Sequence, residues 1–270
     1  MIIRSIGGGT INALESFGRF WTFAFRTVRW IVAGMFSPRN WRLIMPQFYE
    51  IGNRSVPVIA ITGTFVGLVL AVQAYDQLDA AGFADHMGVL INVTLVQELG
   101  PVLAAVMLAG RVGGALTAEL GTMNVTEQID ALRVMGADPI QHLVVPRFLA
   151  CLLLAPVLTL FADVCGSLSG AWVAIMLKGI PTEPYYYYTE WALEKWDLMV
   201  GFIKSMAFGG IIGMLACYKG FNCRAGAEGV GRACTEAFVA SFIAILIVDF
   251  CLATSLMGLY RVFFGFKSLV

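Results

Sequence analysis

Five long apolar segments dominate the chain, and each is long enough to cross a bilayer as a helix. A hydrocarbon core about 30 Å thick needs about 20 mostly apolar residues in helical form. The segments that meet this requirement are 56–75, 87–121, 143–177, 198–218 and 237–260. The second and third are too long for an upright span, so we expect them to tilt or to extend beyond the bilayer. The pattern predicts an all-α integral membrane protein with five transmembrane helices.

Residues 1–54 precede the first span and predict helices that lie on the membrane surface. Polar side chains recur there at spacings of three and four residues and form one helical stripe, namely Glu15, Arg19, Thr22, Arg26 and Arg29. Aromatic and aliphatic side chains cover the other side, which is typical of an amphipathic interfacial helix. We expect it to end at Ser37-Pro38 and a second short helix to follow over 41–51. This part is either a plain anchor or a lateral wall beside a lipid path, and residues 55–270 form the membrane domain.

A short amphipathic helix is predicted over 124–136, between the second and third spans. Asn124 and Glu127 have the spacing of a capping box, and Gly136 followed by Pro139 ends the helix. Its apolar face indicates either a docking partner or a connector that rests on the chain itself or on the membrane surface. The residues assigned to the docking surface are Val125, Glu127, Ile129, Asp130, Leu132, Arg133 and Met135.

Composition excludes several classes of protein. Of the 270 residues, 59% are hydrophobic and 13% are charged, whereas a soluble domain carries roughly 25% charged residues. This excludes an ordinary soluble enzyme and a disordered chain. The net charge of zero argues against a nucleic-acid partner. The six cysteines include no CxxC pair, and the sequence contains no P-loop, HExxH or G-x-S-x-G motif, so we expect no metal or cofactor bound by this chain.

The distribution of basic residues predicts the orientation of the chain. With the N-terminus in the cytoplasm, 12 of the 18 Lys and Arg residues fall in cytoplasmic segments and 4 fall in external ones. Cytoplasmic loops carry an excess of Lys and Arg in membrane proteins. We therefore expect a cytoplasmic N-terminus and an external C-terminus.

Residues 97–149 resemble the core of the MlaE-type (YrbE-type) permeases, the membrane subunits of ABC transporters that maintain outer-membrane lipid asymmetry. The resemblance is most specific over Glu98–Gly100, Gly110–Arg111, Ala118–Gly121 and Glu127–Leu132, and it covers most of the chain. It implies a homodimer in the bacterial inner membrane that moves glycerophospholipid. It also implies a cytoplasmic ABC ATPase that docks on the 124–136 helix and uses the ATP. Further partners implied are a periplasmic ring of MCE-domain proteins and a small STAS-domain protein bound to the ATPase.

Three charged residues lie inside three different spans at similar depth. At 1.5 Å per residue, Glu98, Lys204 and Asp249 lie roughly 15, 10 and 16 Å below the outer surface. A single charge there costs several kcal/mol, so we predict that the three pair with one another. The cluster is either a structural brace or a polar lock that gates the lipid path. Asp163 is a weaker candidate to join it.

Two segments near the outer ends of the first and second spans combine apolar walls with a few polar groups, as a lipid cavity requires. The resemblance places the cavity in this region, and ordinary helix packing is the alternative for its leucines. The residues assigned to the lipid path are Leu70, Gln73, Ala74, Tyr75, Gln97, Glu98 and Leu99.

Three further expectations concern helix contacts and function. Arg111 and Glu119 share one face of the second span and are expected to brace it against the 124–136 helix. Pairs with GxxxG spacing mark close helix contacts without showing which lies at a dimer interface, namely Gly63/Gly67, Gly110/Gly114, Gly166/Gly170 and Gly209/Gly213. Two other functions stay open, a membrane channel or scaffold without ATP coupling and an intramembrane lipid-modifying enzyme.

Overall fold

The computed structural model describes the backbone of residues 2–34 and 38–264 and the side chains of 14–33 and 43–263. The regular elements in this part of the chain are helices. They are α1 (Ile2–Gly34), α2 (Pro38–Phe48), α3 (Val56–Ala80), α4 (Met87–Thr94), α5 (Gly100–Leu108), α6 (Gly114–Val125), α7 (Gln128–Val134), α8 (Val145–Trp172), α9 (Thr182–Ala192), α10 (Lys195–Phe221) and α11 (Ala227–Phe264). A 3₁₀ turn, Ala84–His86, precedes α4. Single π-helical turns connect several helices without a break, namely Tyr49–Asn53, Leu95–Leu99, Ala109–Gly113, Ile140–Val144 and Val173–Leu177.

Five helical segments of the described chain are long and apolar enough to cross a membrane, which confirms the predicted number of spans, and each is longer than the apolar segment that predicted it. Span 1 begins within α2, span 2 comprises α4 to α6, and span 3 contains α8 with a π turn at each end. Spans 4 and 5 are α10 and α11. Their bounds are Leu43–Ala80, Ala84–Val125, Ile140–Leu177, Lys195–Phe221 and Ala227–Phe263. The helix α7 lies at one end of the bundle and α9 at the other, and we refer to these as the α7 end and the α9 end.

The predicted capping box of the short helix is wrong, and its predicted end is confirmed. Asn124 belongs to α6, and its side-chain amide donates to the carbonyl of Cys223 at 3.4 Å. Glu127 adopts a left-handed conformation with φ of 59°, which separates α6 from α7. At the other end Gly136 has φ of 78°, and the next residue's N–H donates to the Leu132 carbonyl at 3.1 Å. This is the Schellman geometry that glycine favours.

The interfacial helix α1 packs one face against the α7 end of the bundle. Phe20 and Phe23 contact the ring of Tyr218 on α10, with ring centroids 5.2 and 5.6 Å apart. The indole N–H of Trp30 donates to Asp138, just after α7, at 2.9 Å. A second face remains exposed and apolar, with Leu14, Phe17, Trp21 and Phe25. An exposed aromatic face beside a polar stripe agrees with a helix that lies in the membrane interface. The predicted stop at Ser37 lies outside the described residues.

Small residues set the contacts between the spans. Gly63 and Gly67 on α3 face the backbone of Ala162 and Gly166 on α8 so closely that a Cβ on either glycine overlaps a carbonyl oxygen. Gly209 approaches the Cys151 carbonyl of α8 in the same way. Three of the four predicted glycine pairs therefore form contacts within the chain. At Gly114, from the fourth pair, an added Cβ meets no described atom within 4 Å.

We expect Gly67→Ala to destabilise the fold by about 1–3 kcal/mol, because its Cβ falls 2.1 Å from the Gly166 oxygen and backbone cannot yield cheaply. Thermal unfolding in detergent measures the effect. Gly114→Ala makes the same chemical change in open space and serves as the control. Equal unfolding temperatures for the two variants would contradict the close packing of α3 on α8.

Candidate functional site

The structure brings Glu98, Lys204 and Asp249 together inside the bundle. The Lys204 ammonium on α10 is fully buried, contacts the Glu98 carboxylate and lies 3.0 Å from Asp249 Oδ1 on α11. Glu98 belongs to the π turn Leu95–Leu99. A π turn inserts one residue into a helix, so the side chains after it point in a new direction. One cation thus ties spans 2, 4 and 5 together.

The charge cluster is partly exposed at the surface of the chain. The Glu98 side chain is 43% exposed, whereas Lys204 is not exposed at all. Two carboxylates share one ammonium, so the ionised cluster carries one net negative charge. Breaking such a buried pair strands a charge in an apolar medium, which is strongly unfavourable. The cluster therefore combines a structural tie with an acidic group that an approaching polar molecule can reach.

A second polar network links the same spans nearer the α9 end. Gln97 donates its side-chain amide to Asp197 at 2.6 Å, and the other Asp197 oxygen accepts the Glu194 N–H at 2.9 Å. The Tyr260 hydroxyl on α11 donates to the Glu194 carboxylate at 3.0 Å. No contact was predicted from the sequence for Asp197 or Glu194, and this network was missed. The three-residue spacing between them, which forms a capping box at the start of α10, was the signal available.

A shallow apolar groove lies between spans 1 and 2, and Ala162 of α8 also lines it. Of the residues assigned to the lipid path, Leu99 lines it. Leu70, Gln73, Ala74 and Tyr75 do not appear in its lining. Span 1 instead contributes residues about two turns closer to the middle of the bilayer. The main contributors from the two spans are Ile59, Gly63, Val66, Leu99, Leu103 and Met107.

The outer end of span 1 has other contacts that explain this difference. Ala74 is buried in an apolar cluster that includes Met87 and Ile91, and Tyr75 packs against it. The Lys178 ammonium lies 4.3 Å from the centre of the Tyr75 ring. Gln73 is exposed. These side chains pack against the chain or face outwards.

The short helix α7 buries part of its predicted docking surface in the chain. Ile129 is buried and Leu132 is half-buried, so they rest on the protein itself. The exposed apolar residues lie at the end of the helix, where Val134 is 89% exposed and Met135 is 73% exposed. Val134 was not predicted. The charged residues Glu127, Asp130 and Arg133 are exposed, and Val125 is half-buried.

Arg111 and Glu119 brace span 2 against other spans, which corrects the prediction that they brace it against α7. Arg111 donates to the hydroxyl of Ser55, the residue before α3. Glu119 pairs with the buried Arg147 of α8 at 2.7 Å. Arg147 lies four residues after the predicted start of span 3, and no contact was predicted for it from the sequence. Both contacts stabilise the α7 end of the bundle.

With these sites in place, comparison with known proteins decides the family. Residues 44–255 match the profile of the family described as Permease MlaE. The chain belongs to the MlaE permease family. A relative from Rickettsia felis, named a probable ABC transporter permease protein, is 40% identical over 92% of this chain and 95% of its own length. The protein TRIGALACTOSYLDIACYLGLYCEROL 1 of Arabidopsis thaliana is 38% identical over 80% of this chain and 61% of its own length.

A third relative carries a functional name. The intermembrane phospholipid transport system permease protein MlaE of Haemophilus influenzae is 32% identical over 82% of this chain and 85% of its own length. The part that matches the MlaE permease profile contains the charge cluster, the groove and α7. Helix α1 lies outside it. The resemblance found in residues 97–149 is therefore confirmed at the level of the family.

Proposed function

We propose that the chain is the permease subunit of an ATP-driven transporter that moves glycerophospholipid between the inner membrane and a periplasmic ring of MCE-domain proteins. The observation that carries this proposal is the apolar groove beside a charge cluster at membrane depth. Leu99 lines the groove, and the preceding residue, Glu98, belongs to the cluster. Acyl chains need apolar walls, and a headgroup needs a few placed polar groups. The name of the Haemophilus influenzae relative supports phospholipid as the substrate.

ATP hydrolysis is assigned to a separate chain. The sequence has no P-loop motif, and Val134 and Met135 offer an exposed apolar surface at the end of α7. Such a surface between two spans suits a partner protein. We assign it to a cytoplasmic ABC ATPase, which carries the small STAS-domain protein in turn. The permease works as a homodimer in this assembly.

The orientation follows from the loop charges. Most of the Lys and Arg residues outside the spans fall on the side of α7, and acidic residues dominate the side of α9. The α7 end is therefore assigned to the cytoplasm together with the N-terminus. The α9 end, with its four consecutive tyrosines, is assigned to the periplasm, where the MCE-domain protein receives or delivers the lipid.

A photocrosslinking residue at Leu99 is expected to capture phospholipid in an amount that depends on ATP turnover, because lipid enters and leaves the groove with each cycle. Mass spectrometry of the adducts with and without ATP, in the complex with its ATPase, gives the measurement. The matched control is Leu168 on α8, which is 65% exposed and is not among the residues that line the groove. Adducts at Leu168 should not change with ATP. The same response at both positions would refute the groove as the lipid path.

A further inference from the structure

Asp163 is a buried acid near the middle of span 3 that takes no part in the charge cluster. Its side chain lies on α8 with 9% of the residue exposed, and its Oδ1 atom has no hydrogen-bond partner among the described residues. Among the described residues, Lys204 forms its ion pairs with Glu98 and Asp249. The expectation that Asp163 joins this cluster is therefore wrong. A carboxyl group at this depth is costly and marks a functional position.

The Asp163 carboxyl group occupies the space that the missing side chain of Gly100 leaves open. A Cβ on Gly100 would lie 1.7 Å from Asp163 Oδ1 and 2.9 Å from the carbonyl oxygen of Leu95. Both oxygens thus border one small space. The Leu95 carbonyl already accepts the Gly100 N–H, which closes the π turn Leu95–Leu99, and a carbonyl oxygen can accept a second bond. Two acceptor oxygens that border the same small space repel each other unless one of them carries a proton.

The charged groups around this space either form ion pairs with one another or lie far from it. On span 2 the neighbouring titratable group is Glu98, which binds Lys204 of α10. From Val56 to Ala74, span 1 contains no titratable residue, and neither α4 nor α5 contains one. The other described titratable groups on elements packed against α8 lie towards the ends of the bundle, namely Glu15, Arg19, Arg26, Arg29, Tyr49, Glu50, Tyr75, Asp76, Asp79, His142, Lys195, Asp197, Cys217, Tyr218 and Lys219. On α8 itself the titratable groups besides Asp163 are Arg147, Cys151 and Cys165. Among the described side chains, no cation forms an ion pair with Asp163, and Lys204 pairs with Glu98 and Asp249 instead.

We propose that Asp163 is a proton-binding site whose protonated carboxyl group donates a hydrogen bond to the Leu95 carbonyl. An unpaired carboxylate in an apolar medium costs several kcal/mol, so the neutral acid is the stable form here. When the proton leaves to bulk water, a carboxylate faces the carbonyl oxygen, and the π turn has to move away. Leu95, Leu99 and Gly100 all line the groove. The protonation of Asp163 therefore sets the shape of the groove.

The consequence for transport rests on the proposed function, whereas the proton site itself does not. The groove described above belongs to the form in which Asp163 is protonated, and we expect this form to transfer lipid. Lipid transfer is therefore expected at low pH and is lost as the pH rises. Above the titration point, the transfer rate is expected to fall by up to about tenfold per pH unit, as the protonated fraction does. Asp163→Asn keeps the size and the donor but cannot ionise, so its transfer rate should lack this fall.

Infrared spectroscopy of the purified complex, with ¹³C-labelled aspartate, tests the proton site directly. We expect an aspartic-acid carbonyl band at neutral pH that disappears at high pH and is absent from Asp163→Asn. A wild-type spectrum without this band overturns the proposal, even if the variant fails to fold. Identical pH profiles of lipid transfer in the wild type and a folded Asp163→Asn also overturn it. If the wild type moves no lipid at any pH, the proposed function fails, and the spectrum still decides the proton site.

Discussion

Lys204→Met is expected to destabilise the folded chain by about 3 kcal/mol, at the low end for a broken buried pair because Glu98 is partly exposed. The substitution keeps the length and apolar stem of the side chain and removes the one cation that Glu98 and Asp249 share. The two carboxylates then lie within the spans without compensation. Thermal unfolding and the yield of folded protein in detergent measure the loss. An unchanged unfolding temperature would contradict the pairing.

A variant in which all three residues of the cluster are neutral distinguishes its two possible roles, a structural brace and a polar lock that gates the lipid path. In the triple variant Glu98→Gln, Lys204→Met and Asp249→Asn, no charge is stranded, and replacing a buried ionic group by neutral side chains is often close to neutral for stability. We expect the triple variant to recover most of the folded yield. If the folded triple variant transfers lipid at the rate of the wild type, the cluster is only a brace. If the folded triple variant transfers no lipid, the cluster acts on the lipid.

The double variant Val134→Asp and Met135→Asp is expected to lower ATPase recovery with the tagged permease at least about tenfold, which corresponds to about 1.4 kcal/mol of binding free energy. Both side chains are mostly exposed, so the charges should leave the fold intact. They place two carboxylates in the apolar surface that the partner must cover. Quantitative co-purification measures the effect.

The control for this variant is Ala227→Asp, an exposed position in the first turn of α11 at the same end of the bundle. An acidic residue is favourable at a helix N-terminus, so the fold should tolerate it. Its ATPase recovery should match that of the wild type. Equal recovery of the ATPase with the double variant would exclude the end of α7 as the docking surface.

The five spans could be predicted because length and apolar character decide them together. The π turns could not, because one inserted residue changes the direction of side chains without altering hydropathy. The turn Leu95–Leu99 matters most, since it carries Glu98 of the cluster and Leu99 of the groove. The predicted start of α7 was wrong for a related reason. Asn124 has the spacing of a helix cap, but its side chain donates a hydrogen bond to the carbonyl of Cys223, which lies far along the chain.

The candidate site was partly predictable. Depth alone indicated that Glu98, Lys204 and Asp249 should meet, because each is too costly to bury by itself. The docking surface could be predicted only approximately. Spacing counted from Val125 assumes one continuous helix, yet the left-handed Glu127 interrupts it, and Val134 becomes exposed beside Met135. The position of the groove along span 1 depends on how closely α3 meets α8, which no local pattern specifies.

The hydrogen bond between Trp30 and Asp138 has a mechanical consequence. Asp138 accepts both the indole N–H of Trp30 and the backbone N–H of Ile140, so the chain after α7 is fixed to α1 and to the start of span 3. Before α7, Asn124 is fixed to Cys223, between spans 4 and 5. A displacement of α7 by more than the length of a hydrogen bond must break one of these contacts or move α1 with it. Helix α1, which lies outside the five spans, thus bears part of any load applied at α7.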